Sequence, residues 1–280
     1  MSPYCYANNK IVKLTETKVL ANDLAVLRGY GVFDFARIYN KTPFHLEDHF
    51  VRFCQSAKLL GLKVPVELNT VLKATANLLV KNKLKDASVR LVLTGGASDD
   101  GISLGKSQFF ILMDKLTDYS PDVFTKGAKL ITVQHARPLA EAKHTNYAVA
   151  VKWQEKRQKA GAIEILYVDN GKILECAMSN FGIFKGNTLI TPKNDILAGV
   201  TRKIVLKLAR KKFKVEEREL LVSELADADE AFLTATNKYV VPIVKIDNLK
   251  IGNGKVGPNT KWLLAEFKKE IDKICYKNKK

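Results

Sequence analysis

Residues 142–147 read Ala142-Lys143-His144-Thr145-Asn146-Tyr147, and residues 175–180 read Glu175-Cys176-Ala177-Met178-Ser179-Asn180. The first stretch follows a strand-like segment and precedes an apolar periodic one, so it places a lysine directly before a predicted helix. The second lies on the return strand of a predicted hairpin that turns at Asn170-Gly171, a pair that favours the positive φ angles of a tight turn. The two stretches bring a lysine amine and a strand carboxylate into one α/β region.

Two further segments offer groups that bind anions. His49-Phe50-Val51-Arg52 lies on a predicted amphipathic helix, and an arginine fork suits two phosphate oxygens. Leu197-Ala198-Gly199-Val200-Thr201-Arg202 opens a second predicted helix. The N–H groups at such a helix start bind phosphate without reorganisation. The four segments together predict a site for a phosphorylated, amine-reactive group.

In this order the segments resemble the class IV aminotransferases, the fold-type IV family that binds pyridoxal 5′-phosphate (PLP). That family includes branched-chain and D-amino-acid aminotransferases and aminodeoxychorismate lyase, and the resemblance runs from about Arg28 to Pro242. It implies a two-domain α/β (α+β) fold, with a smaller N-terminal α/β sandwich and a larger C-terminal pseudo-barrel domain, and it implies a homodimer.

The segment 117–127 contains Pro121 and acidic residues without clear periodicity, so we place the connection between domains there. The N-terminal domain is then expected at 1–116 and the PLP-binding domain at 128–280. Hydrophobic periodicity predicts the elements within them. The expected strands are 11–19, 31–38, 89–93, 108–113, 128–135, 163–168, 231–236 and 240–246, and the expected helices are 46–60, 66–80, 147–160, 200–209 and 260–276.

The resemblance assigns the catalytic lysine to Lys143, which would hold PLP covalently and move a proton. Glu175 would face the pyridine nitrogen and keep it protonated, since a buried carboxylate needs a cationic partner. Tyr147 occupies the place of a family tyrosine that hydrogen-bonds the cofactor's phenolic oxygen, although its spacing from the lysine is one residue shorter here.

The resemblance also implies the phosphate ligands. Arg52 matches the family's His-x-x-Arg arginine, and the predicted helix start supplies Gly199, Val200 and Thr201. Thr236 and Asn237 lie at a strand end where relatives place a hydroxyl and a backbone donor. The glutamate that usually follows is replaced by Tyr239.

Substrate recognition requires a partner for the α-carboxylate. Arg90 resembles a strand arginine of branched-chain members, and Arg37 reaches from a strand that lines the pocket in relatives. Tyr30 and Phe33 resemble side-pocket aromatic residues, which suit an apolar substrate side chain. D-amino-acid enzymes carry an arginine and a histidine where this chain has Thr94-Gly95-Gly96-Ala97, a departure that counts against D-amino acids.

The expected activity is amino transfer between an L-amino acid, apolar or branched, and a 2-oxo acid. Aminodeoxychorismate lyase is the alternative, because Lys143-His144 and Glu175-Cys176 resemble it. The net charge of +17 leaves a remote alternative, a nucleic-acid-binding protein on the same scaffold. The lysines are, however, spread along the chain without interleaved aromatic residues, so we expect no nucleic-acid partner.

Composition restricts the setting. The apolar runs are too short to span a membrane, and the N-terminal stretch lacks the pattern of a secretory signal, so a cytoplasmic location is expected. The four cysteines form no Cys-x-x-Cys pair and the four histidines form no metal pattern. We therefore expect reduced thiols and no metal.

Overall fold

The computed structural model describes residues 1–276 of the chain. These residues fold as two compact units. The first unit comprises 1–117, 142–147 and 271–276, and the second comprises 118–141 and 148–270. The expected division at 117–127 is therefore corrected in three places: 118–127 belongs to the second unit, while 142–147 and 271–276 belong to the first. Residues 277–280 of the expected second domain lie outside the described residues.

The first unit contains a six-stranded antiparallel sheet with the strand order β2-β1-β6-β5-β3-β4. Its strands are β1 (Tyr4–Ala7), β2 (Lys10–Lys13), β3 (Gly31–Tyr39), β4 (Thr42–Phe44), β5 (Ala87–Thr94) and β6 (Phe109–Lys115). Its helices are α1 (Leu24–Leu27), α2 (Leu46–Leu59) and α3 (Leu68–Lys81), with a 3-10 turn at Leu14–Glu16. The apolar faces of α2 and α3 pack on one face of the sheet and form the core.

Most of the predicted elements of this unit are confirmed. The helix 46–60 appears as α2, and Gly61 follows it with a φ of 66°, which suits a glycine after a helix end. Asn40 and Lys41 turn between β3 and β4 with φ angles of 49° and 63°. The strand 11–19 is wrong beyond Lys13, because its partner β1 starts at Tyr4, opposite Lys13, and the chain then forms a 3-10 turn.

The second unit contains a mixed ten-stranded sheet with the order β12-β11-β10-β14-β15-β7-β8-β9-β13, and β16 pairs with β15. The first strands are β7 (Ala128–Gln134), β8 (Glu164–Asp169), β9 (Lys172–Cys176), β10 (Asn180–Lys185) and β11 (Thr188–Thr191). The others are β12 (Lys214–Glu217), β13 (Leu220–Leu221), β14 (Glu230–Ala235), β15 (Tyr239–Ile246) and β16 (Leu249–Lys250). The pairs β7–β8, β7–β15 and β11–β12 are parallel.

The remaining helices are α4 (Asp122–Thr125), α5 (Ala148–Lys152), α6 (Gln154–Lys159), α7 (Val200–Ala209) and α8 (Pro258–Cys275), and a 3-10 helix spans Val222–Asp227. The predicted helix 200–209 is confirmed without a shift. The predicted single helix 147–160 is wrong. It is interrupted at Trp153, whose φ of −92° and ψ of 1° leave the helical region while its side chain packs on a core cluster.

Within residues 1–276, no helix combines the length and the apolar character needed to cross a membrane. In the same part of the chain, no three His, Cys, Asp or Glu side chains lie together as a metal site would require.

Candidate active site

The main chain around Lys143 is part of the first unit's sheet. The N–H of Phe33 donates to the carbonyl of Lys143 at 2.9 Å, and the N–H of Thr145 donates to Gly31 at 2.9 Å. The strand β4 pairs only with residues 37–39 of β3, so the residues around Lys143 take the edge of β3 next to it. The Ser56 hydroxyl on α2 accepts the N–H of Lys143 at 2.9 Å. The lysine backbone is therefore fixed from two sides.

The Lys143 side chain lies among aromatic rings. Its Nζ is 4.7 Å from the centroid of the Phe33 ring, and the Tyr147 ring meets the Phe33 ring edge-on with centroids 5.6 Å apart. All three side chains are half-buried. The structure thus brings together Lys143, Tyr147 and the side-pocket candidate Phe33, and it places an amine beside an apolar surface.

Arg52 is held by a partner that the sequence did not predict. Its Nε donates to Oδ2 of Asp34 at 2.8 Å and its Nη2 donates to Oδ1 at 2.8 Å, a two-point pair in which both residues are buried. The Nδ1 atom of His49 lies 2.7 Å from Asp34 Oδ1. Because the pairing attaches the guanidinium at two points, it fixes the orientation of the Arg52 fork. The feature of the sequence that indicated this cluster is the three-residue spacing of His49 and Arg52, which places both side chains on one face of a helix.

Protonation in this cluster follows from burial and charge. Burial on its own would raise the pKa of Asp34, but Arg52 and His49 outweigh it and hold that pKa well below its ordinary value of 3.8. Burial lowers the pKa of His49 below 6.5, against the opposing effect of the Asp34 carboxylate. The charged pair is thus Asp34 and Arg52, with His49 as its neutral partner.

The substrate candidates Phe33, Arg37 and Arg90 lie on one face of the sheet. Phe33 and Arg37 alternate with core residues along β3, and Arg90 is paired across from Phe35 with its guanidinium 5.9 Å from that ring. Arg90 is exposed. Arg37 is 1% exposed and donates to the carbonyl of Thr117 and to the Tyr39 hydroxyl.

Tyr30, the fourth candidate, is directed elsewhere. Its hydroxyl donates to the carbonyl of Leu60 at the end of α2 at 2.7 Å, and its ring packs on the core of the first unit. The Tyr30 hydroxyl is thus bonded within the first unit, and the side-pocket role expected of Tyr30 and Phe33 stays a prediction.

In the second unit, Glu175 is buried and held by three donors. Arg137 donates to Oε1 through Nε at 2.9 Å. The N–H of Leu197 and the side-chain amide of Asn180 donate to Oε2 at 3.0 and 3.3 Å. Arg137 is a residue that sequence reasoning missed. The sequence did hold an indication of this pair. A buried carboxylate needs a cationic partner, and Arg137 closely follows the predicted strand 128–135.

Gly199 marks a place where the chain has no room for a side chain. A Cβ atom there would lie 1.9 Å from Oδ1 of Asn180, whose amide nitrogen donates to the carbonyl of Leu197 at 2.8 Å. The helix α7 begins at the next residue, and the N–H of Lys203 bonds the Gly199 carbonyl. The N–H groups of Val200 and Thr201 therefore belong to the first helical turn, which has no earlier carbonyls to bond within the helix.

Thr236 and Asn237 lie in the turn between β14 and β15, and both are half-buried. Tyr239 follows with a φ of 61°, a conformation that is unusual for a large side chain, and its hydroxyl lies 3.1 Å from Asp118 Oδ1. Between them, Lys238 is fully buried and forms an ion pair with Glu164. Neither residue of this pair was predicted, because lysines are mostly exposed and nothing in the pattern marks this one.

Comparisons with known proteins place the chain in a family. Residues 31–246 match the family model described as Amino-transferase class IV. A putative branched-chain-amino-acid aminotransferase of Methanocaldococcus jannaschii is 34% identical over 275 residues, which cover 94% of each chain. The chain belongs to the class IV aminotransferases. The resemblance drawn from the four segments is confirmed.

Two further proteins are similar to the chain over nearly its whole length. A D-alanine aminotransferase of Staphylococcus aureus is 27% identical over 274 residues, covering 95% of this chain and 97% of its own. The crystal structure of the Escherichia coli branched-chain amino acid aminotransferase superposes with a TM-score of 0.89 at 25% identity, covering 96% of this chain and 94% of that one. The expected two-domain α/β fold of fold type IV is confirmed.

As a class IV aminotransferase, the protein is a PLP-dependent enzyme. The donor set fits that cofactor. A buried carboxylate, Glu175, suits a protonated ring nitrogen, and the N–H groups at the start of α7 suit a phosphate. Asn180 fills the space that a Cβ at Gly199 would take and also bonds Glu175, so the two groups are positioned together.

Proposed function

We propose that this aminotransferase moves an amino group between an L-amino acid with an apolar or branched side chain and a 2-oxo acid. The observation that carries the proposal is the aromatic surface beside the lysine amine. Phe33 lies 4.7 Å from Lys143 Nζ, and Tyr147 extends that surface. Moving an apolar side chain from water to such a surface lowers the free energy, whereas a charged side chain loses favourable hydration there.

When bound, PLP supplies an electrophilic carbon for the substrate amine and a ring that withdraws electrons from the substrate Cα. Lys143 Nζ would hold the cofactor in the resting enzyme and, once displaced, would move a proton from the substrate Cα to the C4′ carbon of the cofactor. Glu175 would accept a hydrogen bond from the ring nitrogen and would keep a proton there. Arg137 fixes the Glu175 carboxylate for that role.

The phosphate is assigned to groups that are already oriented. Arg52 is held in place by Asp34, which orients the plane of its guanidinium group. The N–H groups of Val200 and Thr201, which follow Gly199, add backbone donors. The Thr201 hydroxyl, Thr236 and Asn237 complete the set. Tyr147 is assigned to the phenolic oxygen of the cofactor.

The substrate α-carboxylate is assigned to Arg37 or Arg90, which share the sheet face that carries Phe33. The packing of the segment after β5 supports the L-configuration. A Cβ at Gly95 would lie 2.8 Å from the Leu24 side chain and 2.9 Å from the Tyr30 carbonyl, so this segment has no space for the larger residues that D-amino-acid enzymes carry.

The test is an absorption spectrum of the purified protein with PLP, repeated after adding L-leucine, L-glutamate, D-alanine or aminodeoxychorismate singly. We expect the band of lysine-bound PLP to convert to the pyridoxamine form with L-leucine and to return with a 2-oxo acid. Lys143→Ala should lack the band, whereas the exposed-lysine variant Lys152→Ala should keep it. Conversion by D-alanine alone would overturn the stereochemical assignment. Formation of 4-aminobenzoate would make the protein a lyase.

We also propose a homodimer in the cytoplasm. The family resemblance supports the dimer, and the four free cysteines, Cys5, Cys54, Cys176 and Cys275, support a reducing compartment. Size-exclusion chromatography coupled to light scattering gives the mass of the assembly, and cell fractionation gives the location of the protein. A monomer at micromolar concentration that is fully active would contradict the dimer.

A further inference from the structure

The ion pair between Lys238 and Glu164 is unusual because both side chains are completely buried. A buried ammonium is stable only with a carboxylate or another electron-rich partner. Lys238 Nζ has both, since it donates to Glu164 Oε1 and lies 5.5 Å from the centroid of the Tyr119 ring. Burial would lower the pKa of Lys238, but Glu164 outweighs it and raises that pKa. Lys238 is therefore a charged anchor and not a free amine.

The carboxylate of Glu164 holds the turn that connects β9 to β10. Its Oε1 accepts the Ser179 hydroxyl at 2.6 Å, and its Oε2 accepts the N–H of Met178 at 3.0 Å. This turn begins directly after Glu175 and Cys176 and ends at Asn180. Glu175 and Asn180, which bond each other at the assigned ring-nitrogen site, thus flank a turn fixed by Glu164.

The other end of the ion pair holds a different cofactor segment. Lys238 is the last residue of the turn that begins with Thr236 and Asn237, and its N–H bonds the carbonyl of Ala235. Its side chain leaves that turn and reaches Glu164 at the start of β8. One buried contact therefore connects the turn assigned to the phosphate with the turn that carries the ring-nitrogen carboxylate.

We propose that Lys238 and Glu164 are positioning residues that set the spacing between the Thr236–Asn237 turn and the Glu175–Asn180 turn, so that both meet one PLP molecule. The inference rests on the proposed function. PLP is a rigid ring whose phosphate arm and ring nitrogen lie a fixed distance apart, so a displacement of either turn weakens both contacts. Loss of the pair should therefore change cofactor binding and not only folding.

The experiment measures the dissociation constant of PLP for apo-protein of Lys238→Met, Glu164→Gln and the double variant, together with thermal unfolding with and without PLP. The control is Lys185→Met, which removes a surface pair with Asp227 whose side chains are 50% and 69% exposed. We expect each single variant to weaken PLP binding at least about tenfold, and the double variant to lose no more than the worse single one. The control should bind PLP like the wild type.

A second readout separates positioning from folding. The pH at which the absorption band of bound PLP changes should shift in Lys238→Met and Glu164→Gln, because the ring nitrogen then meets a displaced Glu175. If both variants bind PLP with wild-type affinity and an unchanged band, the inference is wrong even when their melting temperatures fall. If Lys238→Met does not fold, the isosteric Glu164→Gln decides. Failure of wild-type protein to bind PLP through Lys143 would instead refute the proposed function.

Discussion

The hydroxyl of Ser56 accepts the main-chain N–H of Lys143 at 2.9 Å. Ser56 follows Arg52 by four residues on α2, so both side chains leave the same face of that helix. One helix therefore holds the backbone of Lys143, which is assigned as the catalytic lysine, and carries an arginine assigned to the phosphate.

Replacement of Ser56 by alanine should impair the enzyme without unfolding it. The N–H of Lys143 loses its acceptor, and leaving a buried donor unpaired costs about 1–3 kcal/mol. We expect kcat to fall by about tenfold, because a small displacement of a reacting group is costly. Ser103→Ala, which removes a hydroxyl from the exposed loop bonded to Asp100, serves as the control. Equal kinetics in the two variants would show that the Ser56 contact has no role.

Asp34→Asn should destabilise the protein strongly. The substitution keeps the shape of the side chain but leaves Arg52 as a buried charge without its carboxylate, a change that costs about 3–5 kcal/mol. Urea unfolding measures the loss, and PLP titration should show weaker binding, since Arg52 is no longer oriented. Asp122→Asn removes an exposed pair with Lys126 and should change stability by less than about 1 kcal/mol. A similar loss in both variants would contradict the role of burial.

Stability should fall with acid in two steps. The folded-state pKa values of His49 and Asp34 are both lowered, so the unfolded chain takes up protons first, below about pH 6.5 and again below 3.8. The contribution of each group is complete above its unfolded pKa and declines as the pH falls through that value. Urea midpoints from pH 4 to 8 should show the first step in wild type and a smaller one in His49→Gln. Parallel curves would refute it.

Gly199→Ala should weaken PLP binding by displacing Asn180. The added Cβ would overlap the Asn180 Oδ1 atom, and overpacking of this kind costs about 1–3 kcal/mol. In an Asn180→Ala background the same substitution should cost much less, because the obstructing atom is absent. Unfolding of the four proteins in the cycle gives the coupling. Additive effects would mean that Asn180 does not cause the cost.

Hydrophobic periodicity was sufficient to predict the helices and strands that bury one distinct face. The helices α2 and α7 have apolar residues at steps of three and four and a glycine beside one end, and both were predicted to within one residue. The strand β3 and its Asn40-Lys41 turn were predicted for the same reason. The roles of Lys143 and Glu175 stay predictions, and they rest on neighbours in sequence that form a recognisable motif.

The failures arise from contacts between residues far apart in sequence. The strand predicted from residue 11 ends at Lys13 because its partner β1 starts at Tyr4, opposite Lys13, which periodicity does not reveal. The pairing of Arg52 with Asp34 joins a helix to a strand 18 positions away. Lys238 could not be predicted at all, since its burial depends on Glu164, 74 residues earlier in the chain.

Residues 142–147 belong to the first unit although part of the second unit precedes them in sequence, and this order matters during synthesis of the chain. Until those residues have left the ribosome, the edge of β3 from Gly31 to Phe33 lacks the hydrogen bonds that it forms with Lys143 and Thr145. An open strand edge readily pairs with other chains. A fragment that stops at Thr117 would keep that edge permanently open and should aggregate, so the segment around Lys143 also protects the newly made protein from self-association.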